Sequence, residues 1–211
     1  MYTCASCTAR ECIKAPSLRG ELPANCPMRG EIVTKEAVAE YVKPENKDFY
    51  ANATHTALNA KDKRHPRIAE MVDFCRRNGY HHIGIASCIG SARDADFCAR
   101  IFRREGFEVE TVICCAGGVN ELELGIDIPE RFHDGPNYCV GCNPVGQAKL
   151  LNDAGTDFNI VLGLCVGHDS LFFKYAKAPC SVLTIKDRVF PFNPVAGIYY
   201  TYGVLADGIK S

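Results

Sequence analysis

Cysteine is the residue type with the most chemistry to offer in this sequence: 13 of its 211 residues are Cys. Four fall early, at Cys4, Cys7, Cys12 and Cys26, and Pro27 follows the last of them. Cys4 and Cys7 form a CxxC unit, whose spacing sets two sulfurs on one ion. Four thiolates suit tetrahedral zinc or a 4Fe–4S cubane, and the spacing leaves both open because it matches no ferredoxin run. Residues 1–30 are rich in Cys, Pro, Gly and Arg and hold too few apolar residues for a core. A bound metal is therefore expected to order them, as a head of residues 1–30 ahead of a domain over 31–211.

What the other cysteines could do depends on the elements that carry them. Residues 31–60 read as helical, with a break at Pro44 and a second helix over 47–60. From His65 onward helix and strand alternate. Pro66 opens a helix on which Ile68, Met71, Val72 and Cys75 share one face, and Gly79 closes it. Strands are predicted over 81–87, 109–113, 159–164 and 181–185. Helices are predicted over 91–105, from Asn143 and Pro144 to about residue 152, from an Asp169 or Ser170 cap to residue 177, and from Asn193 and Pro194 onward. The alternation predicts an α/β fold: a Rossmann-like parallel sheet of about four strands with flanking helices, plus the N-terminal Cys-rich metal-binding segment. The strands read as continuous apolar runs, which predicts cover on both faces.

On that topology the thiols converge. Cys88 follows the first strand, Cys114 and Cys115 the second, and Cys165 the third, so three strands deliver sulfur to one edge of the sheet. The loop after the second strand, which holds Pro129, Gly135 and Pro136, adds Cys139 and Cys142, and Cys142 stands just before a helix start. Open parallel sheets bind ligands beyond these strand ends. Any one of these cysteines reads equally well as a small core residue. Taken together they argue for a site, because packed thiols in a reducing cell become favourable when they share a soft metal. Gly90, Gly117, Gly118 and Gly167 follow the cysteines and let backbone approach a bulky cofactor. His168 and Asp169 lie beside Cys165 as candidate acid, base or substrate contacts, and Asp169 reads equally well as a helix cap. Lys186, Asp187 and Arg188 read as a charged turn in preference to a substrate contact, His81 and His82 as surface, and Cys75, Cys98 and Cys180 as core.

The segments CNPVGQAKLLN (142–152) and GLCVGHDSLFFKYAKAP (163–179) resemble a Cys-rich, uncharacterised family of bacteria and archaea, many of them anaerobes, labelled only as metal-binding. Further matching pieces are SCIG at Cys88, CC before Gly at Cys114 and Cys115, KDRV at Lys186 to Val189, and NP at Asn193. The resemblance covers nearly the whole chain. It implies one group of Cys4, Cys7, Cys12 and Cys26, and a second of Cys88, Cys114, Cys142 and Cys165 with His168 and Asp169 beside it. Cys139 is an extra in this sequence, and CCAGG lacks a Lys that the resemblance would place after the two cysteines.

These residues predict a metal-binding protein with an iron–sulfur (4Fe–4S) cluster at one or both groups, and zinc as the alternative cofactor. Three ligands drawn from Cys142, Cys165 and either Cys114 or Cys88 would leave one iron open to a small-molecule substrate or sulfur species. A spare thiol, Cys115, is then placed for sulfur transfer or desulfuration. Two other readings compete: a zinc or soft-metal storage, delivery or sensing module, and a thiol–disulfide redox protein using Cys114 with Cys115 or Cys139 with Cys142. An electron-transfer partner follows only if a cluster cycles. Formal net charge is −1, which gives no reason to expect nucleic acid or an anionic membrane as partner. GxGxxG and the P-loop are both absent, which excludes a dinucleotide or NTPase site of those kinds. The start MYTCASCTARE has no apolar run, so a cytoplasmic location is expected.

Overall fold

The computed structural model describes residues 1–126 and 138–204; Pro129, Gly135 and Pro136 of the predicted loop lie outside them. The chain divides into two compact units, Met1–Asn59 and Ala60–Ser211.

The first unit is built from local turns. Single 3₁₀ turns at Cys4–Ser6, Glu11–Ile13, Pro16–Leu18 and Pro27–Arg29 lead into a π-helical turn at Ile32–Glu36. Helix α1 (Ala37–Tyr41) follows, then α2 (Pro44–Lys63), which runs on into the second unit. Pro44 does more than break the first run. It occupies the opening position of α2, where a missing N–H is harmless, so the helix begins three residues earlier than the predicted 47. Among its described residues this unit buries the polar side chains of Glu11 and Thr56 and no apolar one. Its order therefore comes from turns and polar contacts.

The second unit carries α3 (Arg67–Arg77), β1 (His82–Ser87), α4 (Ala92–Arg104), β2 (Glu108–Ile113), α5 (Pro144–Asp153), β3 (Phe158–Leu162), α6 (His168–Tyr175), β4 (Cys180–Thr184) and α7 (Pro194–Val204). The strands form one all-parallel sheet in the order β2-β1-β3-β4. Chain direction across the sheet reverses between β1 and β3, which is where such folds open a crevice. Ser87 pairs with Ile113 on one side and Leu162 on the other, so these three strands end at one level.

Strand periodicity sends alternate side chains to opposite faces. Ile83, Ile85, Ile160 and Leu162 pack with Met71, Cys75, Cys98 and Phe102 from α3 and α4. Ala86 and Val161 pack with Ala148, Leu151 and Phe172 from α5 and α6. The helix α5 lies close over β1 at Gly84, where an added Cβ would stand 2.1 Å from Asn159 Oδ1 and 2.8 Å from Leu151 Cδ1. The predicted cover on both faces holds for the central strands β1 and β3. It does not hold for the outer strands: β2 is only half-buried at Val109 and Val112 and exposed elsewhere, and β4 is half-buried throughout. Edge strands have a sheet neighbour on one side only, and Glu108, Glu110 and Thr111 make β2 tolerant of water.

Two further boundaries differ from the sequence pattern. The third strand stops at Leu162, two residues short, because Gly163 turns left-handed (φ 66°) beneath Ser91 and Phe192. Cys165 is therefore the third residue after its strand. The helix that follows takes Gly167 (φ 84°) as its cap, with Asp169 inside its first turn, and ends at Tyr175.

Candidate functional site

The sulfurs of the second unit gather on the α5/α6 side of the sheet, beyond its C-terminal edge. Cys88, Cys114, Cys115 and Cys142 belong to the core cluster on that side, whereas Cys75 and Cys98 lie in the opposite cluster. Cys114 is central. Its Sγ stands 3.8 Å from Cys115 Sγ and accepts the Ile89 N–H at 3.3 Å, and the thiols of Cys88 and Cys142 lie close enough for it to shift their ionisation. Cys165 lies near enough to Cys142 to influence its charge, and Cys139 does the same to Cys115. Cys180 begins β4 at the other end of the sheet.

Local sequence explains how these thiols are held. Asn143 accepts the Gly146 N–H at 2.8 Å and caps α5, with Pro144 in the first turn. The Asn143 N–H also donates to the Cys114 carbonyl at 2.7 Å, and its side-chain amide donates to the Ala116 carbonyl at 3.3 Å. Cys142 is thereby tied to the turn that carries Cys114 and Cys115. One helical turn later the fully buried Gln147 donates from Nε2 to the carbonyls of Ser87 (3.0 Å) and Val112 (2.7 Å). That single amide clamps the ends of β1 and β2, one and two residues before Cys88 and Cys114. Gln147 belongs to no motif of the sequence. The available signal was a polar residue on the helix face that otherwise carries Ala148 and Leu151.

Two cations also face the sulfurs. Lys186 Nζ lies 2.8 Å from Cys88 Sγ, and Arg188 Nη2 lies 3.5 Å from Cys165 Sγ. Asp187 between them accepts the N–H groups of Val189 (2.9 Å) and Phe190 (2.7 Å), which shapes the turn. The charged turn read from the sequence is therefore present, and its Lys and Arg also reach the thiols.

Electrostatics differ across the cluster. Burial pushes the Cys88 thiol up, but the Lys186 ammonium, the Gly90 N–H and Cys114 outweigh it, and the net shift is downward. Burial, reinforced by Cys114, Cys115 and Cys165, pushes Cys142 up to about 12. Burial, reinforced by Cys114, Cys88 and Cys139, pushes Cys115 up to about 11. Neighbouring thiols oppose one another's ionisation, so a shared cation is what would let several ionise together.

The other candidate residues are placed as follows. Asp169 Oδ1 accepts the N–H groups of Gly167 (3.0 Å) and Ser170 (2.7 Å), which is a turn-building role at the start of α6. His168 opens that helix, its N–H bonded to the Cys165 carbonyl at 3.0 Å. Gly117 and Gly118 are exposed, with φ of 96° and 57°, and turn the chain back after Cys115. Gly118 and Gly167 each have open space where a Cβ would stand.

In the first unit Cys4, Cys7, Cys12 and Cys26 line one cavity of about 250 Å³. The buried Glu11 organises its wall: Oε1 takes the Lys14 ammonium at 2.7 Å and Oε2 the Gly20 N–H at 2.7 Å. Those partners hold its carboxyl below the ordinary value, the Lys14 hydrogen bond most of all. Glu11 too was missed, since a lone acid between cysteines has no pattern to mark it. Among the described residues no group of three or more His, Cys, Asp or Glu side chains is set to hold a single ion.

Fold and site together define a Cys-rich α/β protein whose thiols crowd the C-terminal edge of a parallel sheet. Residues 26–183 match the family described as "Protein of unknown function (DUF1847)", and the chain belongs to that family. It is 37% identical over 170 residues to the uncharacterized protein MJ0455 of Methanocaldococcus jannaschii, covering 81% of this chain and 85% of that one. No helix among the described residues is long and apolar enough to cross a membrane.

Proposed function

We propose that this protein binds iron–sulfur clusters at two cysteine groups. Cys4, Cys7, Cys12 and Cys26 would form the structural or electron-transferring site, and Cys142, Cys165 and either Cys114 or Cys88 the functional one, with one iron left open. The observation that carries the reading is the 3.8 Å approach of Cys114 and Cys115, in one cluster with Cys88 and Cys142, at the edge where parallel sheets bind ligands. The donor set fits: thiolates are the ligands of soft and borderline metals. A cluster with an open iron supplies Lewis acidity toward a small sulfur-bearing molecule. Desulfuration or sulfur transfer is the reaction class this reading implies, with Cys115 as the thiol left over.

Anaerobic purification and reconstitution test it, with iron, zinc and acid-labile sulfide measured alongside the visible spectrum. A brown protein that loses part of its iron and sulfide in Cys114→Ala and Cys165→Ala is the expected result. A colourless protein without sulfide overturns the cluster, and stoichiometric zinc that survives dialysis would replace it with a soft-metal module. The 3.8 Å approach of Cys114 and Cys115 favours thiol–disulfide exchange as a second reading. Alkylation and mass spectrometry should then reveal a reversible disulfide between them.

A further inference from the structure

We infer that Lys186 and Arg188 form an anion-binding arm over the strand-edge thiols. The molecule this site takes is a small anion with a soft, sulfur-bearing end. The inference rests on the strand-edge group being the functional one.

Three observations support the arm. First, both cations point at sulfur: Lys186 Nζ at Cys88 and Arg188 Nη2 at Cys165, which come from the two central strands. Second, neither makes an ion pair with a carboxylate among the described residues, and the one acid between them, Asp187, is occupied by the backbone N–H groups of Val189 and Phe190. Thiol sulfur is a weak acceptor, so strong donors remain to be satisfied. Third, the arm is reachable: Arg188 is exposed, Lys186 half-buried, and Gly90 beside Lys186 has no side chain, an added Cβ there standing 3.6 Å from Nζ. A guanidinium and an ammonium on one turn suit the hard, charged end of a small anion. The adjoining thiols present weak S–H donors to its sulfur-bearing end.

Thiosulfate combines both ends in one probe, and sulfate offers the hard end alone. Calorimetric titration of each into the anaerobically purified full chain tests the arm. Wild type is expected to bind thiosulfate more tightly than sulfate, with affinity falling as salt rises. Lys186→Met and Arg188→Gln should each weaken thiosulfate binding about tenfold or more, as expected for loss of a charge-assisted hydrogen bond, with metal content unchanged. Equal affinity in wild type and both variants overturns the proposal. So does loss of metal from the variants, which would make the cations partners of the thiolates alone. Sulfate bound as tightly as thiosulfate overturns the soft-end assignment. A wild type that holds no metal yet binds thiosulfate through Lys186 and Arg188 defeats the cluster reading and leaves the arm standing.

Discussion

The two cysteine groups are built on opposite physical terms. The head thiols line a hollow in a unit with no buried apolar side chain, where Glu11 and a few turns supply the order. The strand-edge thiols project from a sheet packed on both faces, and Asn143 and Gln147 pin their loops. A site of the first kind needs its ligand to become rigid. A site of the second kind is positioned by a core that exists without the ligand. A metal bound as proposed should therefore act as a folding agent in residues 1–59 and as a guest in the second unit.

The sharpest way to break that contrast is to remove the metal. Chelation, or Cys26→Ser, is expected to speed protease cleavage within residues 1–59 on the order of tenfold or more, with the sheet unit still resistant. Limited proteolysis read by mass spectrometry would show it, and equal loss in both units would end the distinction. Next in size is Gln147→Leu, which leaves the Ser87 and Val112 carbonyls without their buried donor. It should lower stability by roughly 2–4 kcal/mol in chemical denaturation and reduce metal at the edge while sparing the head. Gly84→Ala forces a methyl against Asn159 and Leu151. A loss of about 1–3 kcal/mol without change at the head would confirm where the core of the second unit lies.

Smaller effects sharpen the contrast. Cys98, on the far face of the sheet, is pushed up to about 12 by burial. Cys98→Ala should cost about 1 kcal/mol and leave metal content unchanged, unlike Cys114→Ala. The smallest expected effect concerns Asp157. Burial raises its carboxyl, but the N–H groups of His81 and His82, at 2.8 and 2.9 Å, outweigh this and hold it below the ordinary value. Its contribution is present above the unfolded carboxyl's pKa and is lost as pH falls through the lower folded value. Asp157→Asn should flatten the stability profile below about pH 4, and a profile identical to wild type would remove the role.

Much of this arrangement was legible in the residues. The periodicity at Ile68, Met71, Val72 and Cys75, the Asn143–Pro144 cap and the apolar runs around Ile83 and Ile160 each report a local preference, and each produced its element. The stop at Leu162 is displaced because Gly163 turns left-handed against Ser91 and Phe192, and spacing carries no record of that. Coverage of β2 was over-read for a related reason: a Val-Glu-Thr-Val run does not say whether its strand lies at the centre or the edge. Lys186 and Arg188 were visible as a charged turn, but their sulfur partners lie 98 and 23 residues away in the chain.

The sequence by itself determined the α/β class, the two groups of thiols and the strand ends that present the second group. Those follow from short-range periodicity and from topology rules that strongly favour one crossover hand. Only the tertiary structure decided which thiols touch. Register brings Ser87, Ile113 and Leu162 to one level, the sheet separates Cys114 and Cys142 from Cys75 and Cys98, and Gln147 closes the strand ends across 35 and 60 residues. Contacts of that range depend on how packed layers meet, a property of the folded sheet that no local stretch of sequence contains.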